Sequence, residues 1–300
     1  MTVPLASTPN YIGRFAPTPS GPLHMGSLVA AVGSWLDARA VGGRWLLRLE
    51  DIDPPRCPPG AADQIQRQLE AFGLTWDGEI RYQSERNDAY QAALDQLIVA
   101  GMAYPCGCSR REWQHEGHYP GWCRQGPRHP ARAQAWRLRT DRGIQPVTWQ
   151  DRLFGHQCLD PTRQGDVVIK RKEGLWAYQL AVVVDDADQN VTDIVRGFDL
   201  LDNTPWQRQL QVALGYPEPR YLHLPLILGD DGQKLSKQNL ATAIPDDGEL
   251  ARPLLHQALQ LLDQRPPRTL RLAPVADQLA HACRNWSPDS MSATSGRAQD

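Results

Sequence analysis

The sequence predicts an α/β protein built on a parallel sheet, and three observations carry that reading. The first is a strand–loop–helix–strand unit near the start: Tyr11–Ala16, a Pro/Gly loop, an apolar-periodic stretch and Arg44–Glu50. The second is the return of short apolar runs later in the chain, at Asp166–Arg171, Tyr178–Asp186 and Tyr221–Leu228. The third is size: 300 residues with 41% hydrophobic content suffice for a real core and about two domains.

Each element has a local cause. Tyr11–Ala16 is short and partly apolar, and Pro17-Thr18-Pro19-Ser20-Gly21-Pro22 stops it in a stiff loop. Past Gly26, residues Leu28, Val29, Val32, Trp35 and Leu36 recur at helical spacing until Gly42-Gly43. Arg44–Glu50 then reads as a second strand, parallel to the first, with ligands expected at the strand C-termini. Tyr90, Leu94, Leu97 and Ile98 place a helix before Gly101. Between Tyr104 and Arg142 the periodicity lapses. Ser109–Arg142 holds eight Arg against three acidic residues, with His115, His118, His129 and three Trp interleaved, and reads as an inserted basic module. Tyr178–Asp186 (YQLAVVVDD) reads as a strand, Asn203–Leu214 as a helix, Tyr221–Leu228 as a strand and Leu250–Leu262 as a helix. Trp286–Asp300, rich in Ser, Asp and Ala, is expected to be disordered.

Charge and cysteine usage narrow the class. Lys plus Arg number 32 against 34 Asp plus Glu, so no global excess forces a nucleic-acid or membrane partner, and the basic module is a local exception. No apolar run approaches the roughly 18 residues of a membrane span. Met1–Asn10 lacks the basic and apolar regions of a secretion signal, so a cytoplasmic protein is expected. Of six cysteines, Cys106, Cys108 and Cys123 cluster, which suits metal binding in a reducing compartment better than a disulfide framework. Cys57, Cys158 and Cys283 stand apart.

Two segments carry phosphate chemistry. The loop ending in His24-Met25-Gly26-Ser27 delivers a His and a Gly to a helix start, where unpaired N–H groups and the dipole favour an anion. Downstream, Lys234-Leu235-Ser236-Lys237-Gln238 lies in a Gly-flanked loop, and two lysines there could close over a triphosphate. Near the cysteines, Cys106-Gly107-Cys108 and Cys123 supply three thiolates where zinc wants four ligands, and chemistry alone would nominate His115 or His118 for the fourth.

Together these segments resemble the class I aminoacyl-tRNA synthetases. His24-Met25-Gly26-Ser27 matches their His-Ile-Gly-His signature, with Ser27 in place of the second His, and Lys234–Gln238 matches Lys-Met-Ser-Lys-Ser. Arg14-Phe15-Ala16-Pro17-Thr18-Pro19-Ser20-Gly21, Glu50-Asp51-Ile52-Asp53 and Tyr178 through Asp185-Asp186 to Arg196-Gly197 narrow the resemblance to the glutamyl branch. It implies a Rossmann-like catalytic domain whose halves are 11–103 and 143–240, a zinc-binding insertion at 104–142, a short helical region at 241–285 and a tail at 286–300.

The resemblance also implies roles. Catalysis falls to His24, Lys234 and Lys237, and ATP binding, with Mg2+ accompanying the nucleotide, to His24, Gly26, Ser27 and Lys237. L-glutamate binding falls to Arg14, Phe15, Ala16, Pro17, Thr18, Glu50, Tyr178 and Arg196, with Arg196 reading the side-chain carboxylate and Glu50 the ammonium. The family pattern C-x-C…Y-x3-C puts Tyr119 beside Cys106, Cys108 and Cys123 as the fourth ligand of one structural zinc, with His118 the other candidate. Only residues 239–300 follow the lysine loop, too few for the helical anticodon-binding region of full-length glutamyl enzymes. Phe198, where those enzymes usually carry an acid, points the same way. The resemblance is therefore to a truncated paralogue, expected as a monomer, that activates glutamate with ATP and transfers it to the queuosine base in the anticodon of tRNA(Asp). A truncated enzyme charging tRNA(Glu), or a zinc RNA-binding module without catalysis, are the alternatives. Arg124, Arg128 and Arg132 of the insertion are expected to meet RNA phosphates.

Overall fold

The computed structural model describes residues 10–225 and 242–291, so Lys234 and Lys237 lie outside the described residues. The chain opens with β1 (Ile12–Phe15), α1 (Met25–Arg39), β2 (Arg44–Leu49), α2 (Ala61–Ala71), β3 (Arg81–Tyr82) and α3 (Asn87–Val99). β1 pairs with β2 in parallel from Ile12 against Arg44 to Phe15 against Leu47, and β3 joins β2 in the same sense. The return from α1 into β2 is tight. Gly42 turns at φ +68°, and a Cβ on Gly43 would come within 2.8 Å of Tyr11 O. Leu28, Leu36, Leu47 and Leu49 are wholly enclosed where α1 covers the sheet, each contributing about 1.5–3 kcal/mol by burial.

The middle of the chain holds β4 (Ala103–Cys106), α4 (Arg110–Trp113), β5 (Ala135–Leu138), β6 (Val147–Asp151), β7 (Gly155–Leu159) and β8 (Val168–Lys170). β4, β5 and β8 form an antiparallel sheet under the cysteine-bearing loops, so β8 carries that small sheet beyond residue 142. The second half follows: α5 (Tyr178–Asp188), β9 (Asp193–Gly197), α6 (Thr204–Leu214), β10 (Arg220–Leu224), α7 (Gly248–Leu261) and α8 (Val275–Asn285). β10 lies between β9 and β6, parallel to both, and β7 closes the edge as a hairpin with β6. Thr192 N donates to Ile12 O at 2.9 Å, so the two parallel layers meet along β1 and β9.

Two expectations need correction. Tyr178–Asp186 is helix, not strand: α5 is enclosed from Gln179 to Asp186 without a polar face, so its Val run mimics a buried strand. Two of its three acids are enclosed because arginines meet them, Arg86 at Asp185 and Arg14 and Arg48 at Asp186. Nor is Trp286–Met291 loose. Trp286 Nε1 donates to Asp37 Oδ1 at 2.9 Å and Met291 is buried against the main core, while residues 292–300 lie outside the described residues. α2 and the β6–β7 hairpin fall where no element was read from the sequence.

Candidate active site

The strand order reverses where β1 and β9 meet, and the C-terminal ends of both point into one crevice. A cavity of about 130 Å³ sits there. The end of β1 brings Arg14, Phe15 and Ala16, the residue after β2 brings Glu50, the first turn of α5 brings Tyr178, and β9 brings Arg196. These come from four separate segments of chain. Pro17 and Thr18 are outside the lining, and Pro17 O instead accepts from Glu50 N at 3.0 Å, which holds the loop against β2.

Arg196 is 4% exposed, and among the described residues every hydrogen bond it makes goes to a neutral group. Its Nε donates to His223 Nε2 at 3.0 Å, Nη1 to Gln207 Oε1 at 2.6 Å and Nη2 to Thr204 Oγ1 at 2.8 Å. Among the described residues no carboxylate lies within 4 Å of this guanidinium. His223 is itself enclosed, with Nδ1 2.6 Å from Asp151 Oδ2. Burial, helped by the Arg196 charge, pulls its pKa down to about 4 against the opposing pull of Asp151, so the imidazole is neutral near pH 7.

Across the cavity, Glu50 is buried, and among the described residues its Oε1 has no hydrogen-bond partner and its nearest cation is Arg48 Nη2 at 3.8 Å. Burial pushes its pKa up to about 7, with Asp186 and Asp185 adding and Arg48 and Arg14 opposing. Arg14 donates through Nε to Asp186 Oδ1 at 3.0 Å. Burial pushes the Tyr178 phenol up, and Glu50 adds to that push while Arg196 and Arg14 oppose it.

His24 begins α1 as its N-cap. Its Nδ1 accepts from Ser27 N at 3.3 Å, and Nε2 lies 3.1 Å from Ser27 Oγ. Further along the same helix, Ala30 borders the cavity, so the anion-favouring helix start and the acidic–basic pocket share one element. Ala243 bridges to His24 and Ile244 N donates to Leu23 O at 2.9 Å, so the chain returns from the segment bearing the lysines directly beside His24.

The cysteine group forms in the inserted module. The thiols of Cys106, Cys108 and Cys123 lie within 4.8 Å of one another. The Tyr119 hydroxyl is 3.2 Å from Cys106 Sγ and 3.8 Å from Cys108 Sγ, and the Cys108 and Cys123 sulfurs are 3.6 Å apart. A tetrahedral zinc with bonds near 2.3 Å separates its sulfurs by about 3.8 Å, so the donor set fits such an ion. No histidine nitrogen joins the three thiols within that radius, which sets His115 and His118 apart from Tyr119. Burial first, then the neighbouring thiols, hold the Tyr119 phenol far above its ordinary range, while the Arg137 guanidinium sits 3.9 Å over its ring.

The module's arginines divide into two groups. Arg124 is committed to the fold, donating to Asp166 through Nε and Nη2 at 2.7 Å each, on a carboxylate that also takes Tyr104, Thr140 N and Thr140 Oγ1. Arg132 pairs with Glu112 at 2.9 Å. Arg124 is therefore occupied within the fold, whereas Arg132 is half exposed in a surface pair. Arg110, Arg111 and Arg128 are exposed without an ion pair among the described residues, and Arg128 stacks 4.4 Å over the Trp122 ring.

Sequence reasoning missed Asp151, His223 and Arg48 as parts of the site. Arg48 left a faint signal, a charge inside an otherwise apolar strand. Asp151 and His223 left none, because they meet only across the sheet.

Residues 12–261 match the tRNA synthetases class I (E and Q), catalytic domain. A protein of Pseudomonas putida called glutamyl-Q tRNA(Asp) synthetase is 54% identical over 284 residues, covering 94% of this chain and 93% of the relative. Its namesake from Thiobacillus denitrificans is 53% identical over 283 residues, covering 92% and 93%. Among solved structures, a glutamate-tRNA synthetase from Elizabethkingia anophelis superposes with a TM-score of 0.80 at 22% identity, over 94% of this chain and 67% of that one, a likeness of fold. The chain belongs to the class I tRNA synthetases of the glutamate and glutamine type, a family of ATP-dependent ligases.

Proposed function

We propose that the protein activates L-glutamate with ATP to glutamyl-adenylate and transfers the glutamyl group to the queuosine base in the anticodon of tRNA(Asp). The observation that carries the amino-acid choice is the charge pattern of the cavity. Among the described residues it holds a guanidinium with only neutral partners, Arg196, a second arginine, Arg14, and a carboxylate oxygen with no donor, on Glu50. Glutamate presents two carboxylates and one ammonium, the complement of that pattern. A neutral amide at Arg196 would leave the buried charge unmatched, which disfavours glutamine.

The activation step needs no general base. The α-carboxylate of glutamate is already ionised, and one of its oxygens attacks the α-phosphorus of ATP while pyrophosphate leaves with the electron pair. Arg196, Arg14 and Glu50 fix the amino acid, and His24 with the start of α1 favours the phosphates, so the protein contributes positioning and charge stabilisation. Lys234 and Lys237 are assigned to the developing charge on the sequence resemblance alone. A hydroxyl oxygen of the modified base then bonds to the acyl carbon, the bond from that carbon to the phosphate oxygen breaks with AMP keeping the electron pair, and the hydroxyl proton passes to the departing phosphate or to water. The choice of tRNA(Asp) rests on the names of relatives that match nearly end to end.

Cys106, Cys108, Tyr119 and Cys123 would hold one zinc ion, which when bound supplies a structural cross-link with no open position. A cation there would also reverse the elevation of the Tyr119 phenol. Arg110, Arg111 and Arg128 would meet the RNA backbone. ATP–pyrophosphate exchange with a panel of amino acids tests the activation step, glutamate alone being expected to support it. Charging of queuosine-containing against queuosine-free tRNA(Asp) tests the acceptor, and equal charging of both, or charging of tRNA(Glu), would overturn the assignment.

A further inference from the structure

We infer that Asp151 and His223 form a positioning dyad that sets the Arg196 guanidinium for a substrate carboxylate while keeping its charge unneutralised. The inference rests on the reading of Arg196 as the side-chain carboxylate receptor. Asp151 ends β6, His223 lies in β10 and Arg196 in β9, three adjacent parallel strands in which His223 and Arg196 are register partners. Asp151 is level with Tyr221, two residues before His223 on β10, and its carboxylate reaches diagonally to the His223 ring, so the three side chains connect in sequence across the sheet.

The chemistry of the row runs in one direction. Asp151 accepts from the backbone N–H of Leu153 and Phe154 at 3.0 Å each and from His223 N at 3.2 Å. An ionised carboxylate so placed only accepts, so the imidazole nitrogen 2.6 Å away must carry the proton. With the proton on Nδ1, Nε2 presents a lone pair, the group that the Arg196 Nε–H at 3.0 Å requires. The opposite tautomer would set two N–H groups against each other. Asp151 thus dictates, through the ring, what Arg196 meets.

An acid placed directly against Arg196 could hold it as firmly, but would compensate the charge and compete with the incoming carboxylate. The imidazole keeps the anion one ring away and offers the guanidinium a neutral acceptor. Gln207 and Thr204 do the same at Nη1 and Nη2. Three of five N–H donors are then anchored, which leaves one on each terminal nitrogen for a bidentate carboxylate.

Three variants of the full chain test this, with L-glutamate and L-glutamine binding read by calorimetry beside KM for ATP and the melting temperature. His223→Asn keeps a polar group near the Nδ1 position but removes the acceptor facing Arg196. His223→Gln can return an oxygen to the Nε2 position. Asp151→Asn can still accept the Leu153 and Phe154 N–H groups, but its amide can donate to Nδ1 and drive the proton to Nε2. His223→Asn and Asp151→Asn are expected to weaken L-glutamate binding about tenfold or more, as loss of a hydrogen bond to a charged group does, and to narrow the preference over L-glutamine. KM for ATP should hold steady, and His223→Gln should recover most of the affinity. Nitrogen-15 shifts of the His223 ring should report the Nδ1–H tautomer in the wild type and its reversal in Asp151→Asn. Unchanged glutamate affinity and preference in folded Asp151→Asn would overturn the dyad, as would an Nε2–H tautomer in the wild type, whether or not His223→Asn folds. Wild-type protein that fails to bind L-glutamate would overturn the underlying reading instead.

Discussion

Arg48 and Asp186 form an ion pair closed off from solvent beneath the cavity, Arg48 Nη2 lying 2.8 Å from Asp186 Oδ1. The same oxygen accepts from Arg14 Nε at 3.0 Å, so one carboxylate on α5 ties β1 to β2 under the cavity. Burial alone would raise the pKa of Asp186. The two arginines outweigh it and hold the carboxyl below its ordinary range. Asp186→Asn leaves two enclosed guanidinium groups short of an anion and should destabilise the fold by about 3–5 kcal/mol. Denaturant titration checks this. Because the folded pKa is depressed, the stabilisation is present above the unfolded value near 4 and is lost as pH falls through the folded one. An unchanged midpoint would remove Asp186 from this role.

Glu50 should make L-glutamate binding depend on pH. Its pKa of about 7 means that the empty pocket takes up a proton as the medium becomes mildly acidic, and a neutral carboxyl cannot balance the glutamate ammonium. Affinity for L-glutamate should level off above about pH 7 and weaken below it, approaching tenfold per unit. Glu50→Gln should bind weakly at every pH with the slope abolished. Calorimetry between pH 5.5 and 8.5 reads the profile, and a flat wild-type curve would disprove the linkage.

The cysteine group should carry one zinc per chain by elemental analysis. Strong chelation should lower the melting temperature, and Cys108→Ser should do the same without chelator. Tyr119→Phe should release zinc at roughly tenfold lower chelator concentration. If Tyr119→Phe keeps its full affinity, the fourth ligand is His118 or water rather than the phenol.

For the RNA surface, Arg110, Arg111 and Arg128 are the arginines to change together, because Arg124 and Arg132 already have carboxylates. Replacing Arg110, Arg111 and Arg128 with Gln should raise KM for tRNA and flatten the slope of log affinity against log salt by about 2–3. ATP–pyrophosphate exchange should stay near normal. Arg124→Gln should instead lower stability, since Asp166 loses its bidentate partner. Equal charging by wild type and the triple variant across salt concentrations would place the docking surface elsewhere.

The amino-acid sequence alone determined the elements whose cause is local. β1, α1 and β2 follow from short apolar runs, one helical period and the Gly42-Gly43 turn, and the grouping of Cys106, Cys108 and Cys123 follows from close spacing, with Tyr119 added only by the family resemblance. The resemblance motifs likewise named Arg14, Glu50, Tyr178 and Arg196, which line one cavity. Only the tertiary structure decided that Tyr178–Asp188 is a helix, because a run buried on all sides shows no period and its acids are admitted by arginines from β1, β2 and the start of α3. It also decided which arginines of the insertion are structural, since an ion pair such as Arg124 with Asp166 spans 42 positions. The row from Asp151 through His223 to Arg196 belongs to the same class. Its members lie on three strands, and hydrogen bonding acts over about 3 Å of space regardless of the chain between.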